Sequence, residues 1–170
     1  MNALNTPTGS LPPILDLEAS GFGAGSYPIE VGCILGDGRS YCALISPAPG
    51  WTHWNDAAES THGISRELLL THGKDPVVIT TELNSLLRGQ TVYSDAWLYD
   101  YAWLAKLYEE AGQQPSFRLE SLQRLLSESQ IQAWPPAVTQ AQQRLNIQRH
   151  RASSDARIQQ AALATLLGLQ

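Results

Sequence analysis

Two carboxylates stand two residues apart in an apolar run near the start of the chain. The run reads Ile14-Leu15-Asp16-Leu17-Glu18-Ala19-Ser20-Gly21. Alternate residues of a β-strand point to the same face, so a strand here places the side chains of Asp16 and Glu18 next to each other. Adjacent buried anions repel each other and resist desolvation. A hard divalent cation with a preference for oxygen ligands, such as Mg²⁺ or Mn²⁺, would relieve both costs.

The same pair is also common on exposed edge strands and turns, where it binds nothing. The flanking residues favour a buried strand, because an apolar stretch (12–15) precedes the pair and a glycine-rich stretch (21–25) follows it. The sequence therefore predicts a core strand that opens into a loop, with a cation site on which later carboxylates converge.

The composition is that of a globular protein. The chain has 170 residues, of which 43% are hydrophobic and 16% charged, and this suits one domain over 1–170 with a loose lead at 1–11. No apolar run is long enough to span a membrane. Residues 1–10 do not resemble a signal peptide, so we expect a cytoplasmic protein with no membrane partner.

Charge is unevenly distributed along the chain. The net charge of −5 argues against a protein that coats nucleic acid generally. Residues 129–170 nevertheless contain four arginines and a single acid, Asp155. The arginines either guide a phosphate backbone or lie on solvated helix faces, and the sequence leaves both open. They are Arg144, Arg149, Arg151 and Arg157.

Two cysteines flank a predicted hairpin turn. If Asp37-Gly38 is a two-residue turn, Cys33 lies directly opposite Cys42. A disulfide is geometrically conceivable in that register. In a reducing cytoplasm we expect two free, half-buried thiols instead.

Strand and helix patterns predict an α/β domain with a mixed sheet. Three neighbouring strands come first, with the first of them central, and further strands and helices then alternate. Ser65 and Asp75 are typical helix N-caps. Trp51 and Trp54 lie in the loop that follows the third strand, where they could stack on bases, but we favour the interpretation that they cover an edge of the core. The predicted strands cover 12–18, 29–35, 40–45, 91–94 and 116–119, and the predicted helices 66–71, 76–87, 98–111, 120–129, 136–145 and 153–167.

Two later stretches could supply further ligands. Asp95 and Asp100 follow the fourth predicted strand, and Asp155 enters the last helix five residues after His150. A carboxylate in a first helical turn is stabilised by the helix dipole. A histidine on the preceding loop can act as a base at the same site, although a lone His150 would more simply be a surface residue.

Taken in order, these motifs resemble the DEDDh family of 3′→5′ exonucleases. The resemblance covers residues 12–168 approximately. The family includes bacterial proofreading subunits and ribonuclease T. The run containing Asp16 and Glu18 is similar to the first motif, Tyr99-Asp100 to the second, and His150 to Asp155 to the third. Ile29-Glu30-Val31-Gly32 looks like the family's second strand, and His62-Gly63-Ile64-Ser65 like its recurrent His-Gly-Ile-Thr.

The resemblance implies a fold and an activity. The fold would be ribonuclease H-like, with a mixed sheet of three antiparallel strands and then parallel strands, flanked by helices. The activity would be release of 5′-mononucleotides from single-stranded 3′ ends with two Mg²⁺ or Mn²⁺ ions. By the same resemblance, Asp16 would bind both ions, and Glu18 and Asp155 would complete the coordination of the first ion. Asp100 would bind the second ion, and His150 would be the general base.

The resemblance also implies which residues lie near the substrate. Ser20, Gly21 and Phe22 would meet the terminal nucleotide, with Phe22 against its base, and His62 would lie near it. The expected partners are DNA or RNA 3′ ends or short oligonucleotides. The family includes monomers and dimers, which leaves a homodimer open.

One departure from the family pattern leaves a metal ligand open. Asp95-Ala96 occupies the place where the family usually has His-Asn, so Asp95 rivals Asp100 for the metal role, although the apolar helix behind Asp100 favours the latter. A non-catalytic binding or scaffold subunit on the same fold is the alternative function. A phosphatase on another α/β fold is disfavoured because the stretch 21–25 lacks the lysine and helix start of a phosphate loop.

Overall fold

A computed structural model describes residues 11–169. The predicted loose lead at 1–11 therefore lies almost wholly outside the described residues. The strands are β1 (Ile14–Ala19), β2 (Pro28–Ile34), β3 (Ser40–Leu44), β4 (Thr91–Ser94) and β5 (Arg118–Ser121). The helices are α1 (Asp56–His62), α2 (Arg66–His72), α3 (Pro76–Leu86), α4 (Trp97–Glu110), α5 (Glu128–Leu145) and α6 (Ala152–Leu167), with a 3₁₀ turn at Leu122–Leu125.

The five strands form one mixed sheet in the order β3-β2-β1-β4-β5. The first three pair antiparallel, whereas β1 with β4 and β4 with β5 pair parallel. This confirms the predicted ribonuclease H-like mixed sheet with its first strand in the centre. Because β1, β4 and β5 run in the same direction, their carboxyl ends meet at one edge of the sheet, where ligand sites of such sheets form.

The two faces of β1 serve different parts of the core. Leu15 and Leu17 pack into the larger cluster, which includes residues of α3 and α4. Ile14 faces the other way and packs with Leu163 of α6. Asp16 has the same parity as Ile14, so the first carboxylate of the pair lies on the face covered by α6.

The region from 120 to 145 differs from the prediction of two helices separated by prolines. A short 3₁₀ turn is followed by one continuous helix, α5, which contains Pro135 and Pro136. A capping box between Ser127 and Gln130 fixes its first turn. Packing of its buried side on α6 outweighs the cost of two internal prolines, about 3 kcal/mol each.

The hairpin between β2 and β3 has a different register from the predicted one. Its loop has three residues, since the Leu35 N–H donates to the Arg39 carbonyl at 2.8 Å. Gly38 takes the left-handed conformation there, with φ of 85°. Cys33 is therefore opposite Tyr41 and not Cys42. Both thiols are free as expected, but Cys33 is buried and Cys42 exposed, so neither is half-buried.

Local capping signals in the sequence were mostly right. Ser65 caps α2 and Asp75 caps α3 through their side chains. The last helix is the exception, because it begins at Ala152 and takes no side-chain cap from Ser153 or Ser154. No helix in the range 11–169 has the length and apolarity needed to cross a membrane.

Candidate metal centre

Three carboxylates converge where β1 meets the first turn of α6. Asp16, Glu18 and Asp155 each offer an oxygen, and these oxygens all lie within 4.8 Å of one another. Asp16 and Asp155 are buried and Glu18 is half-buried. Residues 139 positions apart in the chain are thus brought together, as the sequence motifs predict.

Burial and mutual repulsion make this cluster unfavourable without a cation. Burial, and then the charges of Asp100 and Asp155, raise the pKa of Asp16 well above its ordinary value. Burial, followed by the Asp155 charge, raises the pKa of Glu18 to about 8. Three converging carboxylates, of which Asp16 and Glu18 hold their protons this tightly, fit a hard divalent cation, which would displace the protons of those two residues.

The first turn of α6 is held by Asp155 itself. Its carboxylate accepts a hydrogen bond from the His150 N–H at 2.9 Å and one from Arg149 Nε at 3.2 Å. His150 has φ of 68°, an uncommon backbone conformation outside glycine. The turn that brings His150 beside the cluster is therefore fixed by the same residue that contributes an oxygen to it.

The His150 side chain is exposed. Within residues 11–169 its imidazole makes no hydrogen bond, so it is free to meet a ligand. Arg149 and Arg151 are not free in this way, because they pair with Asp155 and Glu30. Two of the four arginines that could guide a phosphate backbone are thus engaged with protein carboxylates.

Asp100 and Asp95 occupy different surroundings. Asp100, in the first turn of α4, is 1% exposed and accepts a short hydrogen bond from the Ser94 hydroxyl. Burial raises its pKa to about 7, and its charge acts strongly on Asp16. Asp95 accepts a hydrogen bond from Gln159 Nε2 at 2.9 Å and lines a cavity of about 250 Å³ with mainly apolar walls.

The loop after β1 turns sharply beside the cluster. The Ser20 hydroxyl is buried, where it accepts from the Tyr27 N–H and bonds His53 Nδ1 at 2.9 Å. Gly21 has φ of 142°, and a Cβ there would lie 2.7 Å from Asn55 Cβ. Glycine is thus required by the neighbouring loop of the protein, whereas the sequence suggested approach of a ligand.

Phe22 projects from this loop into solvent, with 68% of its surface exposed. Its ring packs edge-on against Tyr99 at 5.1 Å and lies 5.9 Å from Trp103. Tyr99 and Trp103 stack on each other, one turn apart on α4. In these three rings, the aromatic cluster, Phe22 and Tyr99 are exposed, and Tyr99 is the residue before Asp100 in the sequence.

His62 lies at the end of α1 with 6% of its surface exposed. Its Nδ1 accepts a hydrogen bond from the Ile64 N–H at 3.0 Å, which places the ring proton on Nε2. In the described part of the chain Nε2 has no hydrogen-bond partner. Burial lowers the pKa of His62, so the ring is a neutral turn residue behind the Ser20 loop.

Two polar residues at the centre, Gln159 and Glu30, were given no role from the sequence, although Glu30 lies in the Ile29-Glu30-Val31-Gly32 motif. Gln159, one turn after Asp155, donates from Nε2 to Asp16 Oδ1 at 3.2 Å and to Asp95. Glu30 of β2 is fully buried and is the cross-strand partner of Glu18 on the adjacent strand β1. A charged residue within an apolar strand was the available signal for Glu30. Nothing local marks Gln159, which lies on a helix face that is buried only in the folded chain.

A larger cavity, of about 1030 Å³, lies elsewhere, between α4 and β5. None of its walls comes from the three clustered carboxylates. Its size alone does not connect it to the chemistry of the centre.

Comparisons with known proteins place this fold. No protein-family model and no curated protein matches the sequence. Among solved structures, E. coli exonuclease I in a zinc-bound complex with single-stranded DNA superposes with a TM-score of 0.67 at 14% identity, over 94% of this chain and 40% of that one. Its complex with a dA16 oligonucleotide gives a TM-score of 0.70 at 13% identity, over 94% of this chain and 41% of that one. An apo exonuclease I structure gives 0.67 at 14% identity, over 93% and 42%.

The chain therefore spans about two fifths of the length of the exonuclease I chains that it matches. At 13–14% sequence identity, the structural similarity to exonuclease I establishes the fold alone. The chain has the ribonuclease H-like fold that is also present in E. coli exonuclease I.

Proposed function

We propose that this chain is a metal-dependent nuclease that removes 5′-mononucleotides from the 3′ ends of single-stranded nucleic acid. The observation that carries the proposal is the convergence of Asp16, Glu18 and Asp155 within 4.8 Å at the carboxyl edge of the sheet. The shared fold with exonuclease I supports the reaction class.

Four carboxylates would hold the ions. Asp16, Glu18 and Asp155 would bind the first, and Asp100, whose charge acts on Asp16, would bind a second together with Asp16. Two bound Mg²⁺ or Mn²⁺ ions neutralise phosphate charge, lower the pKa of water and stabilise the leaving oxygen. The role of the protein is to hold its oxygens in place, and Gln159 and Ser94 do so by donating hydrogen bonds to Asp16 and Asp100.

His150 would act as the general base. Its side chain is exposed, and its backbone N–H donates to Asp155, which fixes the backbone of His150 next to a residue of the cluster. A histidine is well suited to take the proton of an attacking water near neutral pH. The proton would leave to solvent from the exposed ring.

The aromatic cluster favours unpaired nucleotides as substrate. Phe22 presents an exposed ring, and stacking of a base on such a ring contributes about 1–3 kcal/mol whatever the sequence. A base must be unpaired from any partner strand and unstacked from its neighbours to reach the ring. Ser20, Gly21 and His62 are buried, so we propose that they shape the loop while Phe22 meets the terminal nucleotide.

Matched DNA and RNA strands test this proposal. Each would carry a 5′ label and be incubated with Mn²⁺ or EDTA, using wild-type protein, Asp16→Asn and His150→Ala. We expect a metal-dependent ladder that shortens from the 3′ end and is lost in both variants. E. coli exonuclease I has been crystallised with single-stranded DNA, which makes DNA the first polymer to test. If wild-type protein with Mn²⁺ cleaved neither the DNA nor the RNA strand, the proposal would be contradicted.

A further inference from the structure

Glu30 is an acidic residue beside the carboxylate cluster for which the proposed chemistry has no use. It lies on β2 opposite Glu18 and is completely buried. Buried carboxylates are rare unless they are paired. Its position raises the question of whether it is a further ligand or has another role.

The hydrogen bonds of Glu30 answer that question. Arg151 Nη2 donates to Oε1 at 2.6 Å, and Arg151 Nε lies 3.0 and 3.1 Å from the two oxygens. The Ala152 N–H donates to Oε2 at 2.8 Å, and the Cys42 thiol is 3.5 Å from Oε1. Both oxygens are thus occupied by protein donors, so Glu30 would have to give up these bonds to bind a cation.

These bonds substitute for a cap that α6 lacks. The helix starts after Arg151, whose side chain does not cap the first turn. The N–H groups of a first turn need an acceptor from outside the helix, and Glu30 supplies one to Ala152 from the neighbouring strand. Its negative charge also lies at the positive end of the helix dipole.

The segment held in this way, residues 149–155, carries two groups of the proposed site. His150 is adjacent to Arg151, and Asp155 is one turn further along. Gly32, two residues after Glu30 on the same face of β2, has no Cβ, and this lets the backbone of the segment lie directly on the strand. Strand β2 therefore holds residues 149–155 in two ways: by close backbone packing at Gly32 and by the ion pair between Glu30 and Arg151.

We propose that Glu30 is a positioning residue: through Arg151 and the Ala152 N–H it sets the placement of His150 and Asp155 at the metal centre. The inference rests on the proposed nuclease function for its catalytic consequence. Its structural part, that Glu30 orders residues 149–155, stands independently of that function.

Glu30→Gln is the informative variant. It keeps the size of the side chain and an oxygen for the Ala152 N–H, but it removes the charge that pairs with Arg151. We expect Mn²⁺ affinity, measured by calorimetry, and kcat each to fall about tenfold, as for other residues that orient metal ligands, with KM within about twofold. Arg151→Ala should unfold more easily, since it leaves a buried charge without a partner.

A matched control separates positioning from loss of any ion pair. Glu82→Gln removes a carboxylate that bonds Lys74 and Tyr41 on the far side of the sheet, and it should leave Mn²⁺ affinity and kcat unchanged. If folded Glu30→Gln matches wild type in both quantities, the positioning role is wrong.

Hydrogen exchange distinguishes failure of this inference from failure of the proposed function. In Glu30→Gln, amides of residues 152–155 should exchange about tenfold faster, while those of α3 keep their wild-type rates. This holds even if the wild-type protein cleaves no nucleic acid. Unchanged exchange at 152–155 would overturn the inference, whatever the activity of the protein.

Discussion

The α-carbon of Gly32 lies directly against the backbone of Ser153. A Cβ at Gly32 would come within 2.1 Å of the Ser153 nitrogen, a distance that real atoms do not adopt. This contact between β2 and the first turn of α6 sets how deeply the helix sits on the sheet. It therefore also determines where Asp155 meets Asp16 and Glu18.

Gly32→Ala should be strongly destabilising, because the added Cβ would meet the backbone of Ala152 and Ser153. Backbone atoms in a packed helix cannot move away as the end of a flexible side chain would. We expect a loss of about 3 kcal/mol in the free energy of unfolding, at the upper end for overpacking, measured by urea denaturation. Gly50→Ala is the control, since a Cβ there meets nothing within 4 Å, and it should change stability by no more than about 1 kcal/mol. Equal effects at the two positions would contradict the close packing of α6.

The metal-free protein should lose stability as the pH rises. The pKa of Glu18 in the fold is about 8 against an ordinary 4.5, so the folded state holds a proton that the unfolded chain releases. The stabilisation is complete below the ordinary pKa and is lost as the pH rises through the folded one. Melting temperatures in EDTA from about pH 5 to 8.5 should therefore fall, and more steeply for wild type than for Glu18→Gln.

Saturating Mn²⁺ should reverse this trend, since metal binding requires deprotonated ligands and strengthens as protons leave. The same melting series with Mn²⁺ provides the check. Parallel pH profiles for wild type and Glu18→Gln in EDTA would show that Glu18 is not the group responsible.

Phe22→Ala should weaken substrate binding with little effect on the fold. Its ring is mostly exposed, and the loss of one stacked base, about 1–3 kcal/mol, predicts a KM about tenfold higher at nearly unchanged kcat. Leu98→Ala is a matched control, because Leu98 is also an exposed apolar residue near the start of α4 but lies outside the aromatic cluster. A similar rise in KM for both variants would remove the specific role of Phe22.

Pro136→Ala should stabilise the protein. Pro136 is exposed within α5, so its replacement loses no packing and restores an N–H donor to the helix. The gain is at most about 3 kcal/mol, measured by urea denaturation. Pro76 begins α3, where a proline is well tolerated, so Pro76→Ala should give no gain. If Pro136→Ala were destabilising, the two prolines would be part of the packing of α5.

What could be predicted from the sequence was mainly what local physics determines. Alternation along a strand was enough to place Asp16 and Glu18 on one face, and side-chain caps marked the starts of α2 and α3. The order of motifs then predicted the partnership with Asp155. These features depend on a few neighbouring residues or on a recognisable pattern.

The features that were missed depend on contacts distant in the chain. The helix through Pro135 and Pro136 is stabilised by its packing on α6, which no local propensity reveals. The register of the β2–β3 hairpin turned on a single extra loop residue, since Asp37 bonds the Arg39 N–H and favours a three-residue loop. The sequence left open whether Arg151 contacts phosphate or solvent and did not reveal its partner, Glu30, which is 121 residues away.

Calorimetric titration of Mn²⁺ is the decisive measurement for the carboxylate cluster. We expect that wild-type protein binds Mn²⁺, that Asp16→Asn binds it at least about tenfold more weakly, and that Glu82→Gln binds it like wild type. At Mn²⁺ concentrations below saturation, the same preparations should cleave single-stranded nucleic acid in the same order as their affinities. If wild-type protein gave no binding heat, or Asp16→Asn bound Mn²⁺ as tightly as wild type, the three carboxylates would not be the metal centre proposed here.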